Sequence, residues 1–100
     1  MLTFILPLFL VFTITDVWLP RHPTTSAPVE IAVITVHQRY DATLTFDWDF
    51  GDFTTATTTL GGVTHRYVTP DTYFLRVVVT DTHTHVTAKV LRLITVAPPR

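Results

Sequence analysis

Residues 43–50, TLTFDWDF, alternate strictly: Leu44, Phe46, Trp48 and Phe50 share one face, and Thr43, Thr45, Asp47 and Asp49 share the other. A period of two with one apolar and one polar face predicts a strand bordering a core on one side and water on the other. Residues 72–81, TYFLRVVVTD, repeat the pattern, with Tyr73, Leu75, Val77 and Val79 expected inward and Phe74, Arg76, Val78 and Thr80 outward. VEIAVITV (29–36) is a β-branched run without a helical period, which predicts a further strand. HVTAKVLRLITV (85–96) alternates imperfectly: Ala88, Val90, Ile94 and Val96 agree in phase, but Arg92 then faces inward while Leu91 and Leu93 do not. A bulge near Arg92 would repair the register, and Pro98 and Pro99 end the strand. Several short strands with turn residues between them, and no helical segment, predict an all-β antiparallel sandwich.

Composition narrows this picture. A chain of 100 residues is expected to form one domain, with room for a modest core and no deep substrate cavity. Hydrophobic residues make up 47% and charged residues 15%, too apolar a balance for disorder. A net charge of −1 provides no field favouring nucleic acid or an anionic membrane. Without cysteine there is no disulfide and no zinc-thiolate site, and without asparagine no N-glycosylation acceptor. Threonine runs such as TTATTT (54–59) add to the β vocabulary.

The N-terminus stands apart. MLTFILPLFLVFTI (1–14) is almost purely apolar and too short to span a bilayer, which takes about 20 residues. Two readings stay open: a signal-like segment over residues 1–12, lacking a basic start and a clear cleavage site, or the beginning of the first strand. RHPTTSAP (21–28) reads as a solvated connector, with O-glycosylation the alternative in a secreted protein.

FDWDFGDF (46–53) is where chemistry would reside. Two carboxylates could serve acid/base catalysis, but Asp47 and Asp49 both fall on the solvent face, with nothing apolar over them to raise a pKa. The DFG tripeptide (49–51) lacks every other kinase element. Calcium could draw on Asp47, Asp49 and Asp52, although alternate positions on an extended strand converge poorly on one ion. A turn accounts for more: Gly51 permits positive φ, Asp52 accepts hydrogen bonds from the turn, and Trp48 anchors the core. No catalytic residue, metal site or cofactor is therefore expected. His83 and His85 could share a metal but lack a third ligand, and read as loop histidines. Phe53, Phe74 and Val78, if outward, hint at a partner surface or at cover by a neighbouring domain.

WDFGD (48–52) followed by THRYVTPDTYFLRVVVTD (64–81) resembles the PKD domain, the immunoglobulin-like repeat of polycystins. That family's pattern is a WDFGDG turn and then H-x-Y-x-x-P-G-x-Y-x-V-x-L-x-V-x-D. Trp48, Asp49, Gly51, Asp52, His65, Tyr67, Pro70, Tyr73 and Asp81 occupy the matching positions. The resemblance covers residues 13–97, leaving 98–100 as a tail, with TITDVWL, PVEIAVIT and TLTFDWDF as the first three strands. It departs at Phe53 and Asp71, where the family has glycine, so the first turn is expected to differ in shape and the fold to lose some stability. THTH (82–85) replaces the usual loop before the last strand.

The resemblance implies an immunoglobulin-like β-sandwich of about seven short strands. It further implies a non-enzymatic extracellular module with a spacing, mechanical or adhesive role, within a larger secreted or membrane protein. Expected partners are proteins or carbohydrates and neighbouring domains of the same chain, not nucleic acid. A membrane enters only through the parent protein or the apolar N-terminus. The alternative is an accessory carbohydrate- or protein-binding module of a secreted hydrolase, with Phe53 and Phe74 as its stacking surface.

Overall fold

The computed structural model describes residues 12–37 and 43–99. The apolar segment 1–11, and with it the choice between signal and strand, lies outside the described residues. Among the described residues seven strands follow one another: β1 (Phe12–Trp18), β2 (Val29–His37), β3 (Leu44–Asp49), β4 (Thr55–Thr58), β5 (Gly62–His65), β6 (Asp71–Asp81) and β7 (Thr87–Val96). They form a three-stranded sheet in the order β1-β2-β5 and a four-stranded sheet in the order β4-β3-β6-β7, with all pairings antiparallel. The all-β antiparallel sandwich expected from the alternating pattern, immunoglobulin-like as the resemblance implied, is the fold observed.

The inward positions meet between the sheets. Val29, Ile31 and Val33 of β2 face Leu44, Phe46 and Trp48 of β3, Leu75, Val77 and Val79 of β6, and Ile94 and Val96 of β7 in one buried cluster. Burial alternates along β2, β3 and β6, as period-two side-chain direction requires. Trp48 lies at the centre, stacked between Phe46 at 6.3 Å and Phe50 at 6.4 Å, and its indole N–H donates to the Thr58 hydroxyl at 2.9 Å.

The irregularity expected near Arg92 is not found there. β6 and β7 keep an unbroken register from Asp71↔Val96 to Thr80↔Thr87. Arg92 lies on the inward parity but is exposed, because β7 is an edge strand whose middle the other sheet does not cover. Its guanidinium donates to the Leu91 carbonyl at 2.9 Å. The bulge falls instead in β1, between Ile14 and Asp16. The connector 21–28 is also more ordered than its composition suggested: Pro23 is buried, and Thr24 forms a parallel bridge with Ala97. Ala97 N–H donates to the Pro23 carbonyl at 2.9 Å, and Thr25 N–H to the Ala97 carbonyl at 3.0 Å.

Candidate functional site

The residues matching the sequence motif meet at two ends of the four-stranded sheet. At the first, β3 runs out at Asp49, and Gly51 turns the chain at φ 82°. A Cβ at Gly51 would lie 2.4 Å from the Phe74 carbonyl oxygen, so both the conformation and the close approach require glycine. Asp49 accepts from Gly51 N–H at 3.0 Å. Asp52 Oδ1 accepts from the Thr54 hydroxyl and, at 3.1 Å, from Thr54 N–H, while its Oδ2 lies 2.8 Å from His65 Nε2.

His65, at the end of β5, belongs to the other sheet, and its ring stacks on Phe50 at 3.9 Å. It meets Tyr67 edge-on at 4.7 Å, and Tyr67 stacks on Tyr73 at 4.3 Å. The buried Tyr67 hydroxyl donates to the Phe50 carbonyl at 2.9 Å, and that of Tyr73 to the Thr69 carbonyl. Trp48, Phe50, His65, Tyr67 and Tyr73 thus form a continuous aromatic column that joins the sheets at this end. Pro70 stands exposed just before β6.

Charge at this end is local to the turn. Partial burial pushes the Asp52 carboxyl up, but the Thr54 hydroxyl and the His65 imidazole outweigh it and hold the group below the usual carboxylate range. Burial, and then the nearby carboxylates, push the Tyr67 phenol well above its ordinary value, so it serves as a neutral donor. Asp47 accepts from the Thr57 hydroxyl at 2.8 Å. The three aspartates weighed for calcium or acid/base work therefore have separate partners, and among the described residues no three His, Asp or Glu gather as a metal site.

At the opposite end, Asp81 is buried and acts as a structural hub. Its Oδ2 accepts from the Thr84 hydroxyl at 2.6 Å and Thr84 N–H at 3.2 Å, and its Oδ1 from Thr43 N–H at 3.4 Å. The Thr84 hydroxyl above all holds this carboxyl below its ordinary range, against the opposing effect of burial. The THTH loop closes over it with His85 at φ 62°. His83 and His85 are exposed.

Phe53 departs from the shape change expected for its turn. It takes φ 70°, the conformation glycine adopts freely, and its side chain is fully exposed. The chain keeps a glycine-like turn and carries the strain. Asp71 needs no such geometry, since it opens β6 opposite Val96. On the outer face, Phe74 (61% exposed) pairs with Leu93 (60%), and Leu91 lies one outward position further along β7. Val78 is only half-buried there. Leu91 and Leu93 were legible as out of phase with the core, although not as partners of Phe74. Trp18, exposed on the outer side of β1, was not singled out in the sequence because the β1 bulge disguises its phase.

A compact β-sandwich module with an aromatic column at one end and a buried aspartate hub at the other is the class this geometry defines. The model of the PKD domain family matches residues 14–96, and the chain belongs to that family. Among solved structures, the PKD1 domain of Vibrio anguillarum Epp is similar at TM-score 0.70 and 19% identity, with 90% of this chain and 98% of that one covered. A structure described as showing the promiscuous specificity of carbohydrate-binding modules of the β-sandwich superfamily gives TM-score 0.70 at 28% identity, covering 88% of this chain and 33% of that one. The PKD domain of the human VPS10 domain-containing receptor SorCS2 gives TM-score 0.64 at 19% identity, over 85% and 73%. No curated protein matches the chain by sequence.

Proposed function

We propose that this protein is a non-enzymatic extracellular module that spaces and connects parts of a larger secreted or membrane protein. One observation carries the reading. The first and last described strands lie in opposite sheets, so tension across the chain must break the sandwich itself. The carboxylates of the motif support it, because they hold turns together instead of converging on a cleft. The outward Phe74, Leu91 and Leu93 of β6 and β7, together with the exposed Phe53, would be the contact surface. Pulling tandem copies in a force spectrometer tests the mechanical part. Each copy is expected to unfold in one discrete event, releasing roughly 250–300 Å of chain. Extension with no discrete events, at forces no higher than those of an unstructured linker, would overturn it.

A second reading, carbohydrate contact, is favoured by the 28% identity with the structure described for carbohydrate-binding modules. Titrating polysaccharide fragments while following aromatic resonances tests it, and resonances that stay unmoved at millimolar sugar would end it.

A further inference from the structure

The outer face of the three-stranded sheet carries a concave surface unrelated to the motif. Trp18, Ala32 and Gly62 form one row across β1, β2 and β5, since Trp18 pairs with Ala32 and Ala32 with Gly62. A large indole thus stands beside two positions with almost no side chain. Neighbouring strands lie about 4.8 Å apart, so the bare floor is roughly 10 Å wide. In the next row Glu30 pairs with Thr64 and closes one end. The resulting hollow is about 510 Å³ and is lined by Trp18, Glu30, Ala32, Thr58, Gly62 and Thr64, among others. A second hollow of about 290 Å³ lies on the other side of Trp18 and Glu30, beneath the connector with Pro20 and His22.

Two details show that the fold itself does not require this arrangement. Of the three glycines, Gly51 and Gly61 are held by backbone: a Cβ at Gly61 would lie 2.6 Å from the Val33 carbonyl oxygen. A Cβ at Gly62 would meet nothing closer than 3.8 Å, and its φ lies outside the left-handed region. Neither clash nor conformation excludes a side chain there, yet the position is bare. Meanwhile Trp18 is 52% exposed, and among the described residues neither its indole N–H nor the Glu30 carboxylate has a hydrogen-bonding partner. An exposed aromatic face, an unengaged donor and an unengaged acceptor converge on a floor kept clear of side chains.

We propose that this hollow binds an uncharged saccharide, one pyranose ring lying over Ala32 and Gly62 with its C–H face against Trp18 and its hydroxyls on Glu30 and Thr64. Rings whose hydroxyls are all equatorial suit it best, because both of their faces present C–H groups to an indole. Among the described residues neither Lys nor Arg lines the two hollows, while Glu30 lines both and Asp16 lies on the same strand as Trp18, which disfavours anionic sugars. The adjoining hollow beyond Trp18 would take the next ring of the same chain. The inference rests on the carbohydrate reading above but places contact on the sheet opposite Phe53 and Phe74.

The test is a titration with cellohexaose, a β-linked glucan, following the two indole N–H and the phenylalanine ring resonances by NMR, with a sulfated heparin hexamer as the anionic comparison. Cellohexaose is expected to shift the Trp18 signal. Trp18→Ala and Gly62→Val are each expected to weaken binding about tenfold or more, while His83→Ala, at an exposed loop position, leaves it unchanged. Valine suits an exposed strand position, so Gly62→Val should fill the hollow without loss of fold, and thermal midpoints verify that. Wild-type affinity in Gly62→Val, or tighter binding of the heparin hexamer, overturns the proposal. Shifts confined to Phe53 and Phe74 also overturn it but leave the carbohydrate reading standing; no shifts at all end both.

Discussion

Phe53 holds φ at 70° with its side chain entirely in water, so replacing it with glycine separates backbone strain from side-chain packing. The left-handed conformation costs a non-glycine residue about 1–2 kcal/mol. Against that, glycine gives the unfolded chain extra freedom worth roughly 0.4–1 kcal/mol. With no buried contact to lose, Phe53→Gly is expected to stabilise the protein by about 0.5–1 kcal/mol. For a domain of this size that raises the melting midpoint by roughly 2–8 °C. Phe53→Ala is the necessary control. It removes the same aromatic surface but keeps the Cβ that clashes in this conformation, and should stay within about 0.5 kcal/mol of wild type. Calorimetric melts of the three proteins at neutral pH decide the matter. A glycine variant melting at or below wild type would refute the strain argument. An alanine variant that gains as much as glycine would refute it too, by showing that loss of the exposed ring was responsible.

Two other expectations concern the aromatic column and the turn beside it. Tyr67→Phe removes the donor to the Phe50 carbonyl and leaves a buried acceptor unpaired, which should cost about 1–3 kcal/mol in urea denaturation with an unchanged m-value. The folded state holds the Asp52 carboxyl below its unfolded value, so the unfolded chain binds more protons in acid. Its stabilising contribution is therefore complete above about pH 4 and is lost as pH falls through the folded value. Wild type should exceed Asp52→Asn in melting midpoint at neutral pH, with the gap closing in acid; a gap constant across the acid range would show that the carboxylate's charge plays no part.

How far the sequence disclosed this protein depended on how local each determinant was. β3 and β6 alternate cleanly because both neighbour other strands within their sheet and have a covered inner face, so the phase of each apolar residue reports its depth. β7 broke that rule because phase reports direction, not cover: Arg92 points inward and still reaches water at an edge strand. β4 and β5 are only four residues each, too short for periodicity to register, and only β4 is threonine-rich. The motif identified the participants at the first turn. It did not show that His65 crosses from the other sheet to stack on Phe50 while meeting Asp52, since that contact depends on how the sheets pack. The row of Trp18, Ala32 and Gly62 was invisible for a related reason: it exists only once β1, β2 and β5 are in register, and the bulge after Ile14 shifts the phase from which Trp18 would be read.

The placement of His65 also bears on the order of assembly. β6 and β7 are joined by a short loop and pair continuously, so their hairpin closes at little entropic cost, and the Asp81–Thr84 contact within it is equally local. β5 must instead return to β2 across the whole of β3 and β4, a closure between distant segments that is intrinsically slower. During synthesis β2 emerges well before its partner, with one edge and its apolar side still uncovered. His65 ends the segment of β5 that pairs with β2, and from there it reaches Phe50 and Asp52 of the other sheet. That contact therefore reports that the two sheets have joined, and its imidazole resonance would time that step of folding.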